Sequence, residues 1–141
     1  MHIMTTMRCN MSCAHCVNDC TPSGEHMSWN TFKAAADLTI ACGDRLDMGG
    51  GEPTINPLFW RFLEYAMSKY DDIVVLTNGK KTRTALALAK LGQAGVIHAG
   101  ISLDRWHEPI AQQVIEAFRW KKNSYSRIEI RRVDHDLSYA P

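Results

Sequence analysis

Strand-like runs ending at Gly49, Thr77, Leu103 and Val133 recur every 26 to 30 residues, and each interval also carries a helix-period stripe. That interval is the length of one βα unit, so the chain has little choice but to lay down parallel strands joined by right-handed helical crossovers. The expected strands are residues 3–7, 45–48, 72–76, 96–103 and 127–133. The run at 72–76 is apolar and β-branched, as a strand buried on both faces requires. Between them, Ser28 reads as an N-cap for a helix that buries Phe32, Ala35, Ala36, Thr39 and Ile40 and stops at Gly43. Asn56 and Pro57 open a second helix with Phe59, Phe62, Leu63, Ala66 and Met67 on its buried face. A third covers about 82–91 and ends at Gly92. A fourth covers 109–121, with Ile110, Val114, Ala117 and Phe118 on one face. The prediction is an α/β domain of about four βα units plus a fifth strand.

A length of 141 residues fits one domain, residues 1–141, with a real core. Sixteen Lys and Arg stand against 15 Asp and Glu, which gives no electrostatic footprint for nucleic acid. The late cations Arg119, Lys121, Lys122, Arg127, Arg131 and Arg132 read as a solvated helix end. No segment has the form of a signal peptide or a membrane span. All five cysteines lie within the first 42 residues, four of them clustered, which points to metal chemistry in a reducing cytoplasm over a disulfide framework. Cys42 reads as a small buried residue on a helix face.

The chemically unusual residues all follow strands. Cys9, Cys13 and Cys16, spaced CxxxCxxC, follow the first. Gly49-Gly50-Gly51-Glu52-Pro53 follows the second, Thr77-Asn78-Gly79 the third, and Ser102-Leu103-Asp104 with His107 the fourth. Residues 131–135 close the fifth. The carboxyl edge of a parallel sheet is where sites are assembled. Three thiolates on one loop can hold an iron–sulfur cluster and leave one iron without a protein ligand. They can equally form a zinc site if Cys20 or His26 supplies a fourth ligand.

The cysteine spacing together with Gly50-Gly51-Glu52-Pro53 resembles the radical S-adenosylmethionine (radical SAM) superfamily, over about residues 3–133. The resemblance implies a partial (βα) barrel in which Cys9, Cys13 and Cys16 each bind one iron of a [4Fe–4S] cluster, while SAM chelates the fourth. Gly50, Gly51 and Glu52 would meet the methionine amine, since glycine permits close backbone approach and a carboxylate complements an ammonium. Asn78, Ser102 and Asp104 would line the SAM pocket. For Asp104 a place near the start of the fourth helix is the competing reading. His15 sits where the family has an aromatic or His, whereas Val17 replaces a frequent aromatic.

The implied activity is reductive cleavage of SAM to a 5′-deoxyadenosyl radical that takes hydrogen from an unidentified substrate. A non-enzymatic iron–sulfur, zinc or electron-transfer module, or a truncated core without turnover, is the alternative. Gly50-Gly51-Glu52-Pro53 favours the enzyme, because an electron-transfer module needs no site for an ammonium. A reductant such as flavodoxin or ferredoxin is implied. The family core has six units and this chain four and a strand, so the uncovered fifth-strand edge points to a dimer, a partner or a protein or peptide substrate there.

Overall fold

The computed structural model describes residues 1–40, 43 and 45–132. Its five strands are β1 (His2–Met4), β2 (Arg45–Gly49), β3 (Asp72–Thr77), β4 (His98–Ser102) and β5 (Ile128–Arg131). They form one sheet in chain order, and every neighbouring pair is parallel. Helices α1 (Trp29–Ile40), α2 (Phe59–Met67), α3 (Thr82–Gln93) and α4 (Gln112–Arg119) fill the four crossovers. A strand order that never doubles back, combined with right-handed crossovers, puts all the helices on one face and curls the sheet around the other. The result is the expected partial barrel of four βα units and a fifth strand.

Register follows burial. Ile3 pairs with Met48, Leu46 with Ile73, and Ala99 with both Val75 and Ile128, all of them buried. Helices α1 and α2 meet through Phe32 and Phe62, whose rings stack with centroids 4.2 Å apart. Aromatic pairs in this geometry add to the area they bury. Ser28 Oγ accepts from Thr31 N–H at 3.2 Å, so the expected cap of α1 is present. Asn56 Oδ1 accepts from Leu58 N–H at 2.9 Å, ahead of α2 and just after a short 3₁₀ turn, Pro53–Ile55.

Several boundaries differ from the sequence expectation, and each has a reason. Met67 is exposed, because α2 ends there and the stripe closes with Ala66. Gly92 does not end α3. A Cβ there would stand 2.8 Å from Ile128 and 2.9 Å from Ala99, so Gly92 lets the helix press onto β4 and β5. The stop is Gly95, at φ +73°, with its N–H bonded to Gly92 O and that of Val96 to Leu91 O, a Schellman ending. Strand β1 ends at Met4, after which residues 6 and 8 pair with His26 and Thr21 in isolated bridges. Strand β4 and helix α4 are shorter at both ends than expected. Cys42, Val133 and His135 lie outside the described residues.

Candidate active site

The loop after β1 and the loop after β2 are joined backbone to backbone. Gly49 O accepts from Thr5 N–H at 2.8 Å, Thr6 O from Gly51 N–H at 2.8 Å, and Arg8 O from Glu52 N–H at 2.9 Å. Glycine is required for this approach. A Cβ on Gly50 would lie 2.3 Å from Thr6 O, and one on Gly51 2.3 Å from Arg8 O. Gly50 also sits at φ +136°, a conformation that L side chains rarely adopt. The two glycines therefore make room for the cysteine loop itself, in addition to facing the cavity described below.

Glu52 is buried at the centre of this junction. Its Oε1 accepts from Thr77 Oγ1 at 2.7 Å, Thr54 N–H at 3.2 Å and the Thr54 hydroxyl, and its Oε2 accepts from Asn78 N–H at 2.7 Å. Burial pushes its pKa up, against the pull of those donated bonds. One carboxylate thus caps the 3₁₀ turn after β2 and holds the end of β3. Asn78 is positioned in turn: its Oδ1 accepts from Lys80 N–H at 3.0 Å, and its Nδ2 lies 3.8 Å from Cys9 Sγ.

These segments enclose a cavity of about 380 Å³ on the carboxyl edge of the sheet. Cys9, Cys13 and Cys16, Gly50, Gly51 and Glu52, and Asn78, Ser102 and Asp104 all line it. Every site residue expected from sequence is therefore brought to one place. Among the other lining residues are His15, His107 and Arg131, which were not assigned to the site although each stands at or after the end of a strand. Val17 stands at the cavity's rim and is almost fully exposed.

Asp104 is held by its own turn. Its Oδ1 meets Trp106 N–H at 2.9 Å and His107 Nδ1 at 2.8 Å, and its Oδ2 lies 3.7 Å from His15 Nε2. Burial raises its pKa, but His107, the Trp106 N–H and His15 together hold the carboxyl below its ordinary value. Asp104 Oδ2 and His15 Nδ1 are buried without a hydrogen-bond partner.

The zinc alternative fares poorly. Four ligands about 2.3 Å from one zinc would bring sulfurs within about 4 Å of each other. Among the described residues, the one His, Cys, Asp and Glu group whose ligand atoms all lie within 4.8 Å is His15, Asp104 and His107, not the cysteines. Cys9, Cys13 and Cys16 all face one cavity. His26 is bonded to Thr6 Oγ1 at 2.8 Å. Cys20 does not line the cavity, and burial together with the neighbouring Cys16 pushes its thiol up to about 11. Burial also raises the Cys9 and Cys13 thiols, so a metal must displace their protons.

A family profile for the radical SAM superfamily matches residues 3–130. The chain belongs to the radical SAM superfamily. It is 34% identical over 125 residues to the antilisterial bacteriocin subtilosin biosynthesis protein AlbA of Bacillus subtilis (strain 168), a match covering 86% of this chain and 27% of AlbA. Mycofactocin maturase MftC of Mycobacterium ulcerans (strain Agy99) is 30% identical over 101 residues, covering 70% of this chain and 27% of MftC. Fe-coproporphyrin III synthase of Methanosarcina barkeri (strain Fusaro / DSM 804) is 33% identical over 103 residues, covering 70% and 25%. The matched stretch spans about a quarter of each of these relatives. Reductive cleavage of SAM to a 5′-deoxyadenosyl radical is the chemistry that defines the superfamily. No helix among the described residues is long and apolar enough to cross a membrane.

Proposed function

We propose that this chain holds a [4Fe–4S] cluster through Cys9, Cys13 and Cys16, binds SAM beside it, and acts as a radical SAM enzyme. One observation carries the reading: three cysteines from the β1 loop share a single cavity with Gly50, Gly51, Glu52, Asn78, Ser102 and Asp104 from three other strand ends. The cavity fits the pair of groups, since it offers soft thiolate donors on one wall, and carboxylate and amide groups on the other. The cluster and SAM, when bound, supply the electron and the radical, while the protein positions and shields them.

Each residue then has a share of the work. The thiols of the cysteine loop ligate iron after losing their protons. Glu52 keeps one side of Oε2 for an ammonium, and the arrival of that positive charge lowers its pKa and favours the carboxylate. Gly50 and Gly51 present backbone to the methionine end of SAM. Ser102 and Asp104 offer acceptors to its hydroxyls, and Asn78 keeps polar atoms between the cluster loop and β3.

A protein or peptide is the substrate class we favour, because one relative serves bacteriocin biosynthesis and another is named a maturase. The same fold also serves a coproporphyrin synthase, so the core alone does not decide. Strand β5 pairs only with β4 among the described residues, and that edge is where a second copy, a partner or the substrate would add. A flavodoxin or ferredoxin is the electron donor in this reading, and a cytoplasmic setting keeps the thiols reduced.

The deciding experiment needs no substrate. Anaerobically reconstituted protein, strongly reduced and given SAM, is expected to release 5′-deoxyadenosine, and the Cys13→Ala variant to release none. Protein that takes up iron and SAM yet stays silent with candidate partner proteins present would leave only cofactor binding.

A further inference from the structure

Beside the cysteines, the cavity contains a second cluster of ligands. His15 reaches it from the cysteine loop, and Asp104 and His107 from the loop after β4. One ligand atom from each lies within 4.8 Å of the other two. The side chain of Asp104 is 1% exposed, yet its Oδ2 has no hydrogen-bond partner, and neither has the buried His15 Nδ1. The nearest basic neighbour of Asp104 Oδ2 is His15 Nε2 at 3.7 Å, and a buried carboxylate oxygen without a hydrogen bond favours a closer cation.

The spacing suits a metal. Donors about 2.1 Å from one ion stand about 3 to 3.5 Å from each other. Asp104 Oδ2 stands 3.7 Å from His15 Nε2, close to that range, and Asp104 Oδ1 stands 2.8 Å from His107 Nδ1 in a hydrogen bond whose proton the ion would displace. Two imidazoles with one carboxylate form a donor set for borderline divalent ions of the first transition row, with coordination positions left over. The rings are also held in place, since His15 packs edge-on to His107 at 5.2 Å and against Trp106 at 5.9 Å.

We propose that His15, Asp104 and His107 form a divalent transition-metal site distinct from the cysteine centre. It shares the cavity with SAM, so the ion and SAM exclude one another. The exclusion rests on the cavity being the SAM pocket, as proposed above; the ion site itself does not. A divalent ion held by these three residues fills space that SAM would occupy and uses the Asp104 carboxylate assigned to its hydroxyls. Free divalent metal would then inhibit the chain by competition, and SAM would clear the ion from its own site.

Manganese(II) is the probe, because it prefers nitrogen and oxygen to thiolate and its six-line magnetic-resonance signal disappears on binding. Protein reconstituted with its cluster in the oxidised, diamagnetic state is expected to take up about one Mn²⁺ per chain. His15→Gln and His107→Gln should each weaken uptake by about tenfold or more. His107 lies outside the cysteine loop, so its variant reads the ion site even if His15→Gln disturbs cluster loading. Excess SAM should restore the free-ion signal. An undiminished signal through the millimolar range would overturn the site and favour a plain His15–Asp104 ion pair, as would binding that survives both substitutions. Bound SAM with Mn²⁺ still in place would overturn the exclusion. Failure of metal-free, cluster-loaded protein to bind SAM would refute the proposed function and leave the manganese result standing.

Discussion

Asn78 Nδ2 donates to Asn10 Oδ1 at 2.8 Å, a side-chain bond between the cysteine loop and the end of β3 across 68 residues of chain. Lys80 Nζ adds a second tether to Asn10 O at 2.8 Å. The cysteine loop is thereby gripped from the β3 side as well as from the glycine loop. Asn78→Ala removes the Asn10 bond and the acceptor for Lys80 N–H, a loss of about 1 to 3 kcal/mol. The expected result is a lower melting temperature and slower iron uptake, both read on anaerobic protein.

Glu52 is expected to matter to folding as well as to SAM. Glu52→Ala strands the Asn78 N–H and the Thr54 and Thr77 groups that it now accepts from. Each unsatisfied buried group costs about 1 to 3 kcal/mol, so denaturant unfolding should show a loss of several kcal/mol. A variant as stable as wild type with weaker SAM binding would reduce Glu52 to a ligand contact alone.

Gly50→Ala and Gly51→Ala should both force the glycine loop away from the β1 loop, since each new Cβ meets a backbone carbonyl at 2.3 Å. Backbone cannot yield as a flexible side chain does. Both variants should unfold at lower denaturant concentration and hold less iron after reconstitution, with Gly50→Ala the worse because of its φ of +136°.

Iron content separates the cysteines. Cys9→Ala, Cys13→Ala and Cys16→Ala should each lose the cluster, while Cys20→Ala should keep about four irons per chain. Loss of iron from the Cys20 variant would mean that its buried thiol is a ligand.

Burial, with Arg8 nearby, holds His26 below its ordinary pKa of 6.5. The folded chain therefore binds this proton less readily than the unfolded chain. The stabilisation is complete above pH 6.5 and is lost as pH falls through the folded value. Melting temperature should decline over that range, and His26→Gln, which still offers Thr6 a hydrogen-bonding side chain, should flatten the decline.

The repeat of strand and helix was plain in the sequence because burial writes it directly. The β-branched run Ile73-Val74-Val75 and the stripe Phe59, Phe62, Leu63 and Ala66 both occupy the positions their periods require. Endings were harder. Gly92 and Gly95 look alike in one dimension, and only the fold tells which makes a tight contact and which turns the chain. That the nine expected residues line one cavity was legible because each stands at or just after a strand end, and parallel strands deliver their ends to one rim. What could not be read was pairing across the rim. That Gly50 meets Thr6, or that His15 and His107 flank Asp104, depends on how adjacent loops lean together after the sheet has curled.

The join of the β1 and β2 loops is made of main-chain hydrogen bonds, which oxygen does not attack. Under the proposed reading, an oxidised cluster could therefore fall out of its mould without breaking the mould. Such a chain could be refilled with iron and sulfide for as long as Cys9, Cys13 and Cys16 stay reduced.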